Sequence, residues 1–266
     1  MSKKSTIVTR IFSPLLLFAV SLIPRTGQAY VLSLDFDRYP EGQIIDDEFV
    51  LSEGVDIGTI KGSSGVGYSV LYDSTGTSGA DPDLEGPPWS AGNAQYFIAG
   101  NLLIIQENGP TSQEISDGIL STNAPDDNGG GGTITFTSDV PLKAIQFWWA
   151  DLDTVSEATI EFEDSGSGQT AGFSFTEFQD SSSPFYDPTV QFGDNAFDII
   201  APVTLQKLTD ASGQTWTQFD TFRFILDGSG SIGYLDINTL YDSTIGDFIW
   251  NDQDLDGVQD PGEPGI

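Results

Sequence analysis

The chain has 266 residues, with nine Lys and Arg against forty Asp and Glu, and a formal net charge of −31. It contains no Cys and no His, which excludes disulfide frameworks, the usual zinc ligands, the usual neutral-pH general base, and Ser–His–Asp or Cys–His catalysis. A charge of this sign repels nucleic acid and anionic membranes, so the carboxylates either bind cations or form a solvated acidic surface suited to a salty environment.

Residues 1–29 read as a secretory signal peptide. Lys3, Lys4 and Arg10 make a positive start, "IFSPLLLFAVSLI" supplies the apolar core, and Gly27 and Ala29 take the −3 and −1 positions of a cleavage site. Pro14 interrupts an apolar run already short for a membrane span, so cleavage is expected to leave none. It removes four of the nine cations and no acid, leaving five against forty, a net charge of −35. The expected location is secreted, extracellular or cell-surface.

From residue 30 to 242 the pattern is one of strands. "YVLSLDF" alternates, with Leu32, Leu34 and Phe36 on one face. "GTITFTS" sets Ile134 and Phe136 against a Thr row, and "EATIEFED" sets Ile160 and Phe162 against Thr159, Glu161 and Glu163. "AGFSFTEF" presents Phe173 and Phe175; "DTFRFILD" presents Phe222, Phe224 and Leu226 with Arg223 outward. Each has the period of a half-buried strand. "NLLIIQ" and "LKAIQFWWA" are apolar on both faces and are expected as central strands covered on both sides. Gly, Asp, Ser and Pro clusters such as "STGTSGADPD" and "DDNGGGG" separate these runs as turns, and no stretch of a dozen residues has a helical period. The expected fold is all-β, a jelly-roll-like two-sheet sandwich.

Three groups in this region are chemical candidates. Asp81 and Asp83 lie two apart on a loop; with Asp35 and Asp37 they form a candidate calcium site, or serve turn chemistry. Trp148 and Trp149 point to opposite faces of a strand, so one belongs in the core, and an exposed one offers a ring for stacking on a sugar. Asp151 and Asp153 beyond them either meet sugar hydroxyls, bind a cation or end the strand. Glu157, Glu161, Glu163 and Glu177 are carboxylates of the kind a glycosidase pairs, but nothing in the sequence selects two of them.

Residues 243–266 change texture to a short strand, "GDFIW", and an acidic loop. Counting Asp252 as position one, Asp254 is third, Asp256 fifth, Gly257 sixth, Val258 seventh, Asp260 ninth and Glu263 twelfth. This is the ligand order of the twelve-residue EF-hand loop. Calcium takes six to eight oxygens at about 2.3–2.6 Å, and alternate inward side chains on a tight loop deliver them. Gly257 permits the turn, the Val258 carbonyl adds an oxygen, and Glu263 closes the shell. Strand-like residues precede the loop and Pro264 and Gly265 follow it, so no EF-hand helices flank it.

"IGDFIWNDQDLDGVQDPGEPGI" resembles the opening of the B-type repeat of serine–aspartate repeat surface proteins. The resemblance is carried by Gly246, Asp247, Trp250, Asp252, Asp254, Asp256, Gly257, Gln259, Asp260, Gly262, Glu263, Gly265 and Ile266. It implies a calcium-binding β-sandwich module of bacterial surface and adhesive proteins, present over residues 244–266 only as a truncated repeat. The main domain, through "LDFD", the "ADPDLEGPPW…GN" loop, "GNLLIIQE" and "GSIGYLDINTL", more loosely resembles jelly-roll domains of exported bacterial proteins, which bears on fold and location alone.

The functional expectation is a secreted or cell-surface structural or adhesive protein, non-catalytic, with calcium as its cofactor and an extracellular glycan or surface protein as partner. An extracellular carbohydrate-binding module and a two-carboxylate glycosidase are the alternatives.

Overall fold

The computed structural model describes residues 31–63, 65–76, 81–121, 124–153 and 158–240. The expected signal peptide and the loop from Asp252 to Glu263 lie outside the described residues. Among the described residues, thirteen strands run β1 (Val31–Leu34), β2 (Ile44–Ile45), β3 (Val55–Lys61), β4 (Gly65–Val66), β5 (Ser69–Asp73), β6 (Asn101–Ile105), β7 (Gly132–Ala150), β8 (Thr159–Asp164), β9 (Gln169–Ser174), β10 (Phe197–Ile199), β11 (Val203–Thr204), β12 (Phe219–Leu226) and β13 (Ser231–Thr239). All the strand pairs are antiparallel. The fold is all-β, as the period-two patterns require.

The organising element is β7, 19 residues long. Its first part pairs with β3 through Val55↔Ser138 to Lys61↔Gly132, and with β12 through Thr221↔Thr137 to Leu226↔Gly132. Its second part pairs with β13 through Leu235↔Phe147 to Thr239↔Leu142, and with β10 and β11 on its other side. Between the parts the register slips, at Phe219/Thr221 on β12, and Pro141 sits in the slipped stretch. Pro has no N–H to give a ladder, and irregularities of this kind bend a strand. One strand therefore runs through both layers. The first layer is β4–β3–β7–β12–β8–β9; the second is β2–β5–β6–β13–β7, with β1 beside β13.

The main core fills the space between the layers. Phe136 stacks on Phe222 at 4.9 Å, and Phe147 of the second layer meets Phe224 of the first at 4.7 Å. Trp149 is fully buried against Phe175, Phe178 and Phe192. Each such ring contributes about 1.5–3 kcal/mol by leaving water. A second apolar cluster lies on the other face of the second layer, where Val70, Tyr72, Leu102, Ile104 and Ala150 meet Leu84, Trp89 and Ala99 of a covering loop. The two-faced burial expected for "NLLIIQ" and "LKAIQFWWA" follows from this loop.

Two short helices depart from the strand-only reading. Helix α1 (Ser112–Asp117) opens on a capping box between Thr111 and Glu114 and ends on Gly118 at φ +72°. Helix α2 (Leu205–Ser212) is capped by Thr204 and ends on Gly213 at φ +68°. Neither is long enough to display a full apolar period, so their caps were the legible signal. "FSFTEF" also departs from a continuous strand: β9 stops at Ser174, and Phe175–Phe178 forms a 3-10 turn that turns Phe175 and Phe178 into the core. No helix among the described residues is long and apolar enough to cross a membrane.

Candidate metal centre

At one end of the second layer, β6 finishes, β7 finishes and β13 begins, with Ser231 opposite both Ile104 and Ala150. The loops leaving these ends are rich in Asp, and the fold brings them together. Asp81, Asp126 and Asp127 form one triad of carboxylates, and Asp83, Asp151 and Asp194 form another; within each, ligand oxygens lie within 4.8 Å of one another. Oxygens held at about 2.3–2.6 Å from one ion are separated by no more than roughly 5 Å, so either group can hold a metal ion.

Local chemistry fixes each member. The covering loop is pinned by buried Leu84 and Trp89, and the Tyr72 hydroxyl donates to the Asp81 carbonyl at 2.6 Å. Asp81 and Asp83 flank the start of the 3-10 turn Pro82–Leu84. Asp127 is placed by its own bridge to Gln106 and accepts from Ser229 Oγ at 2.7 Å and from the Gly230 N–H at 2.5 Å. Gly230 has φ +149°, and a Cβ there would stand 2.4 Å from Leu152, so only glycine brings that N–H so close. Asp151 follows the end of β7 at φ +58° and accepts from the Asn195 N–H at 2.9 Å. Asn195, itself at φ +53°, donates its amide to the carbonyls of Asp83 and Glu85 and accepts from the Ser90 N–H. Non-glycine residues in this region store strain and gather where a site over-determines them.

The electrostatics are one-sided. Asp81 and Asp127 are each 7% exposed and Asp151 is 1% exposed. Burial, then the neighbouring Asp81, raises Asp127 well above the ordinary carboxylate range. Burial pushes Asp151 up to about 6 against the opposing Asn195 N–H bond, with Asp153 adding repulsion. Asp83 and Asp153 rise through burial and then the charge of Asp194; Asp126 rises through burial and then Glu107. No cationic side chain stands among the leading influences on these carboxylates. Crowded carboxylates in a low dielectric are relieved by a proton or by a bound cation.

The chain matches no protein-family model, and no curated protein matches it. Among solved structures, the enzymatically active domain of tailspike protein 4 from bacteriophage CBA120 is similar at a TM-score of 0.27 and 13% identity. That alignment covers 73% of this chain and 20% of the tailspike chain, so this chain spans only a fifth of its neighbour's length. A likeness of that size transfers neither fold nor activity.

The structure redistributes the residues singled out in the sequence. Asp81 and Asp83 fall into two adjacent triads, completed by Asp126, Asp127, Asp151 and Asp194. Asp35 and Asp37 belong to neither; they line a separate small pocket with Trp148 and Tyr234. A third acidic group, Asp46, Asp47 and Glu48, lies on the turn before β3. Trp149 is the core member of the pair, its indole N–H donating to buried Asp198 at 3.1 Å. Trp148 is half-buried among Tyr234, Phe97 and Phe197, with ring centroids at 5.1, 4.7 and 6.1 Å. Glu163 pairs with Arg223 at 2.5 Å and Glu177 accepts from Ser183, while Glu157 lies outside the described residues.

Proposed function

We propose that this protein is a calcium-stabilised, exported β-sandwich with a structural or adhesive role and no catalytic turnover. The observation that carries the reading is the pair of adjacent triads at the end of the second layer. Hard carboxylate oxygens, with no His or Cys anywhere in the chain, suit calcium over zinc or copper. Magnesium demands near-octahedral geometry and gives up water reluctantly, whereas calcium accepts irregular carboxylate sets. The ions would cross-link the covering loop, the β7 end and the turn before β13, and offset repulsion in a chain of net charge −31.

Two further features support the same reading. The loop of Asp252, Asp254, Asp256, Val258, Asp260 and Glu263 carries an independent set of calcium ligands in sequence order. The resemblance of residues 244–266 to a surface-protein repeat supports export and adhesion. The glycosidase alternative has a pair to consider, because Asp127 and Asp151 both bond Ser229. At 7% and 1% exposure, neither reaches a glycosidic bond.

Calorimetric titration of the full-length chain with calcium tests the proposal. Binding should be lost in part on Asp127→Asn or Asp151→Asn, and in another part on Asp252→Ala with Asp254→Ala. Titration curves indifferent to the first pair of changes would remove the triads from the reading. Turnover of any polysaccharide, abolished by one carboxylate change that leaves stability intact, would overturn the non-catalytic part.

A further inference from the structure

Away from the triads, the short turn Phe36–Arg38 and the start of β6 border an open pocket of about 60 Å³ lined by Asp35, Asp37, Ile98, Asn101, Trp148 and Tyr234 among others. Its chemistry is specific. The lining combines two carboxylates with two aromatic rings that stack on one another at 5.1 Å and 26°. Ile98, 67% exposed, adds an apolar wall.

The pocket is built rather than incidental. Asp35 accepts from the Asp37 N–H at 3.1 Å, which fixes the turn. Asp37 accepts from the Asn101 N–H at 2.7 Å, and its carboxylate sits over Gly100, where a Cβ would come within 2.3 Å of it. The Asn101 amide donates to the carbonyls of Phe36 and Tyr39 and so ties β6 to the turn. Tyr234 is held at its hydroxyl by Ser33 and Asp236. The cation on the same turn, Arg38, is committed to Glu53 at 2.6 Å. Among the described residues, Asp35 and Asp37 therefore each keep a second oxygen with no hydrogen-bond donor.

A pocket with paired carboxylates, aromatic faces and an apolar wall complements a cation on an apolar stem. At about 60 Å³ and open to solvent, it suits a slender group such as an ammonium with the first methylenes behind it. We propose that the pocket of Asp35, Asp37, Trp148 and Tyr234 binds a lysine side chain presented by a partner protein, the ammonium between the carboxylates and the stem along the rings. The adhesive reading enters only as the reason such a partner exists. The site itself is measured without any adhesion assay.

The test uses the full-length protein in calcium-containing buffer and Nα-acetyl-lysine methylamide as probe, followed by tryptophan fluorescence and calorimetry. Saturable binding is expected with a Kd on the order of 1 mM. The uncharged analogue Nα-acetyl-norleucine methylamide should not bind. Asp35→Asn keeps the turn cap and should weaken the probe by about fivefold, as loss of one exposed ion pair does. Tyr234→Ala should weaken it further. Absence of saturable binding, equal binding of the norleucine analogue, or tighter binding of glucosamine than of the lysine probe would each overturn the assignment. The norleucine and glucosamine arms need no variant, so they decide the matter even if a substitution disturbs folding.

Discussion

Replacing Asp127 by Asn should have opposite effects on stability with and without calcium. In the metal-free protein, Asp127 and Asp81 face one another, each 7% exposed, and burial together with that repulsion raises Asp127. Asparagine keeps a carbonyl to accept from Ser229 or Gly230 and turns a neutral amide toward Asp81. Replacing a carboxyl that burial makes costly to ionise should therefore leave the melting temperature in EDTA unchanged or raised. With calcium, the same change deletes a ligand. Extracellular calcium modules bind with Kd values of about 10⁻⁴–10⁻³ M. At ~10 mM free ion, one site of that affinity stabilises the fold by about 1.4–2.7 kcal/mol through RT ln(1 + [L]/Kd). For a domain of this size each kcal/mol moves the melting temperature by about 2–4 °C, so calcium should raise it by about 3–10 °C per site. Differential scanning calorimetry of the full-length wild type, Asp127→Asn, and the paired Asp252→Ala and Asp254→Ala variant separates the contributions. The C-terminal variant should keep most of the wild-type shift, and Asp127→Asn should lose about half of it. An equal calcium shift in wild type and Asp127→Asn, or a shift that disappears only in the C-terminal variant, would refute the reasoning.

Three further outcomes follow from the same geometry. Asp151 is pushed up to about 6 in the folded protein, so between about pH 4 and 6 the folded state holds a proton that the unfolded state has released. Metal-free stability should therefore fall as pH rises through that window, by on the order of 1–3 kcal/mol, and urea unfolding in EDTA from pH 4 to 7 reads it. Calcium stabilisation should grow over the same range, because the ion displaces that proton. Phe147→Ala opens a cavity between the layers where Phe224 stands 4.7 Å away, and should cost about 3–5 kcal/mol in chemical denaturation. Gly100→Ala places a Cβ against the Asp37 carboxylate at φ +69°; it should cost about 1–3 kcal/mol and weaken the lysine probe at the same time.

Strand identity was legible because burial on one face of a sheet imposes period two on the chain itself. Ile134 with Phe136, Ile160 with Phe162, and Phe222 with Phe224 are buried as that period requires. The unbroken apolar runs of β6 and β7 likewise announced strands covered on both sides. Asp81 and Asp83 stood out in sequence because their spacing of two is local, but the fold puts one in each triad instead of pairing them with each other or with Asp35 and Asp37. The continuation of β7 through both layers was not legible, since it depends on which partner each half finds.

The rest of the site depended on contacts between distant residues. Asp127 meets Gly230 across 103 positions, and Asn195 meets Asp151 across 44. "DDNGGGG" and "GDNA" look like ordinary turns in sequence, because turn chemistry and cation binding call on the same residues. Asp35 and Asp37 share their alternating spacing with Asp81 and Asp83, yet the fold sends the two pairs to different places. The sequence by itself determined the strand alphabet, the absence of His and Cys chemistry, and the acidic character of the chain. Tertiary structure alone decided which carboxylates crowd together. A charge acts over a few ångströms of space, and in a β-sandwich those ångströms are reached through loops far apart in the chain.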